Sequence, residues 1–367
     1  MNNIPNDVEK AAFDVGFEKD IEKASASYMH VDHSTVLSFL NSKYKDKLEI
    51  LDICLALEKY DWLHEYYWSL VDKEKDEYTK DAQDISGGYF IRVFKGCKID
   101  IPLQACLALS KSNTKQKVHN IIFLEEESEA NIISGCSVCP DINESEHIGI
   151  SEIFVKRKAK LNFTMIHNWS KTTKVRPRSV VLLEEDASFV SNYILMSHVK
   201  DLQMSPEAIC KGDNCEAIFN NIIYGKGLSL IDIGSKIVLN GKNSNAQAIS
   251  KVVASDNSKI FARGILEGNQ DKIKAHLECR GIIVNDNASI HAIPELIGNR
   301  KDIKMSHEAA VGKIADKEIT YLMSRGLSKD EAISLIIRGF LSVDLMHLPQ
   351  RIKNSIDMLV SQLVESF

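Results

Sequence analysis

Glu129-Ala130-Asn131-Ile132, Lys158-Ala159-Lys160-Leu161, Asp186-Ala187-Ser188-Phe189 and Asn214-Cys215-Glu216-Ala217 recur at intervals of 28 or 29 residues. Each block sets small or polar residues before an apolar run with a period of two. Leu161, Phe163 and Met165 alternate with Asn162 and Thr164, and Phe189, Tyr193 and Leu195 share one face. That period predicts strands. The interval then shortens through Gly234-Ser235-Lys236-Ile237, Asn245-Ala246-Gln247-Ala248 and Asn257-Ser258-Lys259-Ile260, before Asn287-Ala288-Ser289-Ile290. Self-similarity of this kind fits stacked coils with Asn-, Asp- and Gly-rich turns, as in a parallel β-helix. An antiparallel sandwich gives similar turn spacing, so the period by itself leaves both architectures open.

Outside the repeats the pattern is helical. From Val8 to about Asp84, apolar residues recur at three and four spacings through Leu48, Leu51, Leu55 and Leu57. Tyr60, Trp62, Tyr66, Tyr67 and Trp68 continue that stretch as an aromatic cluster, read as core packing in preference to a docking face. Lys73-Glu74-Lys75-Asp76-Glu77 marks a solvated turn or linker. From Ala315 onward, Ser328-Lys329-Asp330-Glu331 is a capping box. Ala332, Leu335, Ile336, Phe340 and Leu341 then form one apolar stripe, and Ile352, Ile356, Leu359, Leu363 and Val364 a second after Pro349. A short terminal unit cannot bury two stripes unaided, which points to a partner surface.

Composition sets broad bounds. The 367 residues exceed the usual size of one domain, with 44% hydrophobic and 26% charged residues, as in a soluble globular protein. A net charge of -6 with no long basic run excludes a general nucleic-acid binder. No stretch approaches the roughly 20 apolar residues that span a bilayer, and the polar start Met1 to Lys10 is unlike a secretory signal. A cytoplasmic protein with no membrane partner is expected, its eight cysteines held as thiols.

The chemistry concentrates late in the chain. Cys279 is followed by His307 and Glu308 at about the spacing of one coil, so the three can be neighbours in space. Thiolate, imidazole and carboxylate are ligand types for iron or zinc. His276 and Arg280 flank Cys279, and a nearby cation favours a thiolate. His307 and Glu308, being adjacent, point to opposite faces of a strand unless a turn, bulge or subunit joint intervenes. Cys136-Ser137-Val138-Cys139 has no second CxxC and is a weak metal site alone. Gly225-Lys226-Gly227 and Gly241-Lys242 lack Walker A spacing, and neither Gly-x-Ser-x-Gly nor His-Glu-x-x-His occurs.

Four blocks in order carry a resemblance: Glu278-Cys279-Arg280-Gly281-Ile282-Ile283-Val284, Ile290-His291-Ala292-Ile293-Pro294-Glu295, Ser306-His307-Glu308-Ala309, and Tyr321-Leu322-Met323-Ser324-Arg325-Gly326-Leu327. With them the chain resembles the SufB/SufD family of iron-sulfur cluster assembly scaffolds. The likeness runs from about Gly87 onward and is densest between Ala275 and Phe340; the N-terminal region matches only in its helical, aromatic character. It implies a mainly β protein, with a right-handed parallel β-helix core (residues 86–310) between an N-terminal (1–85) and a C-terminal (311–367) α-helical domain. Cys279 matches a cysteine of SufB proteins that SufD proteins usually lack. The His307-Glu308 pair matches one near the meeting of two core subunits, implicated in cluster formation. Ser306 departs from the acidic residue SufB proteins tend to carry there, and Ala310-Val311-Gly312 looks more like SufD.

The segment Ser134-Gly135-Cys136-Ser137 before Pro140 looks like the SufB segment of sulfur entry, which puts Cys136 at the entry position. Trp169 matches a tryptophan along the family's internal route, and His167 stands where glutamine is usual. Cys139 is a further thiol that either shares the relay or packs. The family resemblance further implies a transient iron-sulfur cluster and a SufC-type ABC ATPase docked on the C-terminal helices. It also implies a sulfur donor protein and a second SufB- or SufD-like subunit, self or paralogue, at the C-terminal end of the β-helix. A reduced flavin in the complex is left open. The reading is a scaffold, with ATP hydrolysis in another chain, closer to SufB. The alternatives are a SufD-like partner that accepts no sulfur and a purely structural or ligand-binding solenoid. A polysaccharide-acting β-helix finds no support in composition.

Overall fold

The computed structural model describes residues 4–195, 197–341 and 354. It is a parallel β-helix of about eight turns. One sheet stacks the strands Leu103–Leu109, Glu129–Val138, Lys160–Asn168, Ser188–Leu195, Glu216–Gly225, Asn245–Ala254, Ile273–Ile283 and Ile303–Lys313, each parallel to the next. A second sheet of 12 strands faces it. Some coils of that sheet turn a corner midway: Leu230–Ile233 and Lys236–Leu239 together pair with the unbroken strand Lys259–Gly268. This explains the shortened sequence interval, since the blocks at Gly234 and Asn257 belong to corners of the second sheet.

The repeated blocks have a local cause. Glu127, Lys158, Asp186, Asn214, Asn243 and Lys272 all adopt left-handed backbone, with φ between 57° and 62°, at the same corner of successive coils. Asn and Asp tolerate that region best among non-glycine residues. The next residue is small and buried at five of the six corners: Ser128, Ala159, Ala187, Cys215 and Ser244. Each strand then starts in step with the one below, as Lys160, Ser188, Glu216, Asn245, Lys274 and Lys304 pair in series. Between the sheets lies a continuous core that includes Leu161, Phe163, Phe189, Phe219, Ile223, Val252 and Leu277.

The N-terminal stretch departs from the helical reading. Helices do occur at Asn6–Asp14, Ile53–Lys59 and Glu77–Asp81, but Ala26–Val31 and Ser34–Leu40 form an antiparallel hairpin that extends the first sheet. Leu48–Asp52 is a strand that extends the second sheet by pairing with Tyr89–Val93. The spacing of Leu48, Leu51, Leu55 and Leu57 therefore joins the end of a strand to the start of a helix, and Leu48 and Ile50 face the core. The aromatic cluster is core, as expected: Trp62 and Tyr66 pack edge-on against Phe123, and Tyr66 against Phe154, on the outside of the second sheet.

At the other end, helices Asp316–Met323 and Lys329–Leu341 follow the last strand. The capping box is present: Glu331 accepts from the Ser328 amide at 2.7 Å, and Ser328 Oγ accepts from the Glu331 amide at 3.3 Å. Ile337 and Leu341 are buried against the outer face of the first sheet. The second apolar stripe, Ile352 to Val364, lies outside the described residues. Among the described residues, no helix is long and apolar enough to cross a membrane.

One buried carboxylate fastens the aromatic segment to the solenoid. Glu152, fully buried, accepts from the amides of Trp68 (2.6 Å), Leu70 (2.6 Å) and Val71 (3.0 Å) and lies 2.8 Å from His119 Nε2. Burial holds the His119 pKa below its ordinary value, so the ring donates as a neutral imidazole. Removing the acceptor strands three amides in an apolar layer. Glu152→Ala is expected to weaken docking of this segment by about 3 kcal/mol, read as roughly hundred-fold faster hydrogen exchange at the Trp68, Leu70 and Val71 amides. Unchanged exchange there would refute the fastening role.

Candidate functional site

Cys279 lies at the centre of the strand Ile273–Ile283, whose odd-numbered residues point into the core; Ala275, Leu277 and Cys279 are all buried. The final strand of this sheet, Ile303–Lys313, pairs with it in unbroken register: Leu277 opposite His307, Glu278 opposite Glu308, and Cys279 opposite Ala309. Paired residues in a parallel sheet share a face. His307 is therefore on the inward side with Cys279, one diagonal step away, and Glu308 is on the outward side. No bulge lifts the alternation. The structure brings Cys279 and His307 to one face and leaves Glu308 on the other.

The outer face has its own ion network. Arg280 Nε lies 2.5 Å from Glu278 and its Nη2 3.8 Å from Glu308, while His276 Nδ1 lies 2.9 Å from Ser306 Oγ. His276 and Arg280 thus face away from Cys279. The expectation that they favour a thiolate is overturned by alternation: burial, with Glu278 adding to it, pushes the Cys279 thiol pKa up. Within the chain as described, no group of three or more His, Cys, Asp or Glu side chains is arranged to hold a metal ion.

The final coil is the open end of the solenoid. No strand covers Ile303–Lys313 on its far side among the described residues, and its residues from Ser306 onward are exposed. Ala309 places only a methyl group over Cys279, which is 2% exposed. Ile293 and Val311 add exposed apolar surface there.

Cys136 lies five coils away on the strand Glu129–Val138, also inward and buried. It stands directly opposite His167 on Lys160–Asn168. Trp169 is buried between two imidazoles, with ring centroids 5.3 Å from His167 and 5.2 Å from His147. His147 Nδ1 lies 2.8 Å from Gln116 Oε1, and burial lowers its pKa to about 3. The structure therefore brings Cys136, His167 and Trp169 together. Cys139 is elsewhere: it sits on the outer side of the wall with Val8, Ala11 and Ala12 of the first helix, its thiol pushed up to about 11 by burial. All eight cysteines are free thiols.

Between the two ends runs a feature that no local sequence motif marks. Tyr193, Asn221, Ser250 and Cys279 occupy a single inward position on four successive strands. Tyr193 Oη lies 2.9 Å from His167 Nδ1, and Asn221 donates to Ser250 Oγ at 3.1 Å and to Ser235 Oγ at 3.0 Å. A polar file crosses the apolar core from Cys136 to Cys279, over about 24 Å at about 4.8 Å per coil. The signal was available in the sequence, because these positions recur at the coil interval; only the assignment of inward faces was missing.

Residues 107–340 match the SufBD core domain of SUF system iron-sulfur cluster assembly. An iron-sulfur cluster assembly SufBD family protein of Archaeoglobus fulgidus is 46% identical over 345 residues, covering 94% of this chain and 91% of the relative. A SufBD family homolog from Methanothermobacter thermautotrophicus is 41% identical over 364 residues, covering 97% of this chain and 88% of the relative. The iron-sulfur cluster assembly protein SufB of Bacillus subtilis is 29% identical over 281 residues, covering 75% of this chain and 59% of its own. The chain belongs to the SufBD family of iron-sulfur cluster assembly proteins.

Proposed function

We propose that this chain is a SufB-like scaffold subunit of a cytoplasmic SUF complex. Sulfur delivered as persulfide by a donor protein enters at Cys136, moves along the interior and reaches Cys279. There it joins iron in a nascent cluster built with Cys279, His307 and Glu308 at a subunit joint. The observation that carries this reading is the polar file of His167, Tyr193, Asn221 and Ser250 linking the two inward thiols. An apolar solenoid core has no structural need of such a file, since buried polar groups cost free energy even when they are paired.

The open end supports the joint. A second SufB- or SufD-like subunit seated on Ile303–Lys313 would cover its exposed edge and the apolar residues Ile293 and Val311. It would also supply the irregularity that lets groups from both faces converge. A cluster with one thiolate, an imidazole and a carboxylate is held less tightly than by four thiolates, which suits cargo that must be handed on. The chain carries no phosphate-binding loop, so the driving ATPase is a SufC-type partner docked on the C-terminal unit, residues 311–367.

Anaerobic reconstitution with the ATPase partner tests the centre of this reading. The wild-type complex is expected to bind iron and acid-labile sulfide with a cluster absorption spectrum, and Cys279→Ser to lose both. A cluster retained in the variant moves the site elsewhere. A SufD-like role is favoured by Ala310-Val311-Gly312 and by the opposite faces of His307 and Glu308; it predicts full cluster maturation with Cys279→Ser. For the docking unit, deletion of residues 315–367 is expected to abolish co-purification with the ATPase, and retained binding would exclude that surface.

A further inference from the structure

We infer that His167 is the base that takes the proton from the Cys136 thiol as that thiol accepts sulfur, with Tyr193 holding the imidazole in position. The inference deepens the sulfur-entry reading of Cys136 and rests on it.

Four observations converge. Cys136 and His167 are directly opposed on adjacent parallel strands, both inward, 1% and 2% exposed. Tyr193 Oη lies 2.9 Å from His167 Nδ1 and fixes the ring. His167 Nε2 is buried and has no hydrogen-bond partner among the described residues, a state buried polar atoms rarely occupy without a functional reason. Among the described residues the surroundings supply no cation: the titratable groups near His167 are Cys136, Tyr193 and His147, and those near Cys136 include Tyr89 on the inward side and Cys106 on the outer side of the wall. Burial keeps these thiols and phenols protonated and these imidazoles neutral.

A buried thiol in that setting does not ionise unaided, yet only a thiolate attacks sulfur. In the tautomer whose Nδ1–H donates to the Tyr193 oxygen, Nε2 carries a lone pair, and a turn of the Cys136 side chain that brings Sγ–H onto Nε2 lets it take the proton. The Cys136 sulfur then attacks the outer sulfur of a hydropersulfide, RS–SH. A new Sγ–S bond forms, the RS–S bond breaks, and the leaving RS⁻ recovers the proton from the imidazolium. The products are the Cys136 persulfide and RSH, with no external oxidant or reductant. Glutamine, usual in the family at this position, offers no such base.

The test uses the full chain, incubated anaerobically with cysteine hydropersulfide, with mass spectrometry following the gain of one sulfur atom on the Cys136 peptide. His167→Gln is expected to slow the gain about hundred-fold at neutral pH. Between about pH 6 and 9 the ratio of wild-type to variant rates should shrink about tenfold per unit, because the variant must wait for thiol ionisation. Taking the ratio cancels the ionisation of the donor. His167→Asn replaces the Gln variant if the latter melts below wild type. Equal rates, or a slowed rate whose ratio to wild type is independent of pH, would overturn the base assignment. A wild-type chain in which another cysteine gains the sulfur and Cys136 does not would instead overturn the entry reading, and the inference with it.

Discussion

Everything distinctive in this molecule depends on its coils stacking in step. The left-handed corner at Glu127, Lys158, Asp186, Asn214, Asn243 and Lys272 turns the chain at the same point of each coil. The small residue that follows at most of these corners lets successive turns approach closely. A slip of one residue would send every inward side chain outward. Because no slip occurs from Lys160 to Lys313, a residue placed inward on one coil has a fixed neighbour on the next. That is how Tyr193, Asn221, Ser250 and Cys279 come to lie in line despite intervals of nearly thirty residues.

The same stacking makes the last coil different from the rest. Every inner strand of the first sheet is paired on both sides, whereas Ile303–Lys313, among the described residues, is paired only with Ile273–Ile283. Side chains that would be core one coil earlier are exposed here: His307 is the register partner of buried Leu277. Cys279 is the last inward thiol before the opening, roofed by the methyl of Ala309. The unpaired strand edge and the exposed side chains on it both follow from the solenoid ending there among the described residues.

Much of this was legible in the sequence. The coil interval, the inward alternation of Leu161, Phe163 and Met165, and the Ser328 capping box all rest on local rules, and all are present. Two readings failed where local rules met three-dimensional ones. The N-terminal leucine spacing ran across a strand-to-helix junction at Asp52 and Ile53, and short strands recruited by an existing sheet edge carry little signal of their own. The assumed influence of Arg280 on Cys279 ignored that adjacent strand residues point apart. Proximity in sequence opposed proximity in space, while Tyr193, Asn221 and Ser250, far apart in sequence, became neighbours.

Burial sets the terms on which the interior thiols can act. Both Cys136 and Cys279 are held protonated by desolvation, so neither is a standing nucleophile or ligand. A scaffold that handles reactive sulfur gains from this, since an exposed thiolate would be oxidised or would exchange with any passing disulfide. Each thiol then needs something beyond its own strand to be switched on. For Cys136 the solenoid provides an imidazole one register step away. For Cys279 the last strand places the methyl of Ala309 directly opposite and His307 one diagonal step away on the same face, with Glu308 turned to the other side. Under the proposed function, the subunit seated on the last strand would complete the surroundings of Cys279, which would tie cluster building to assembly of the complex.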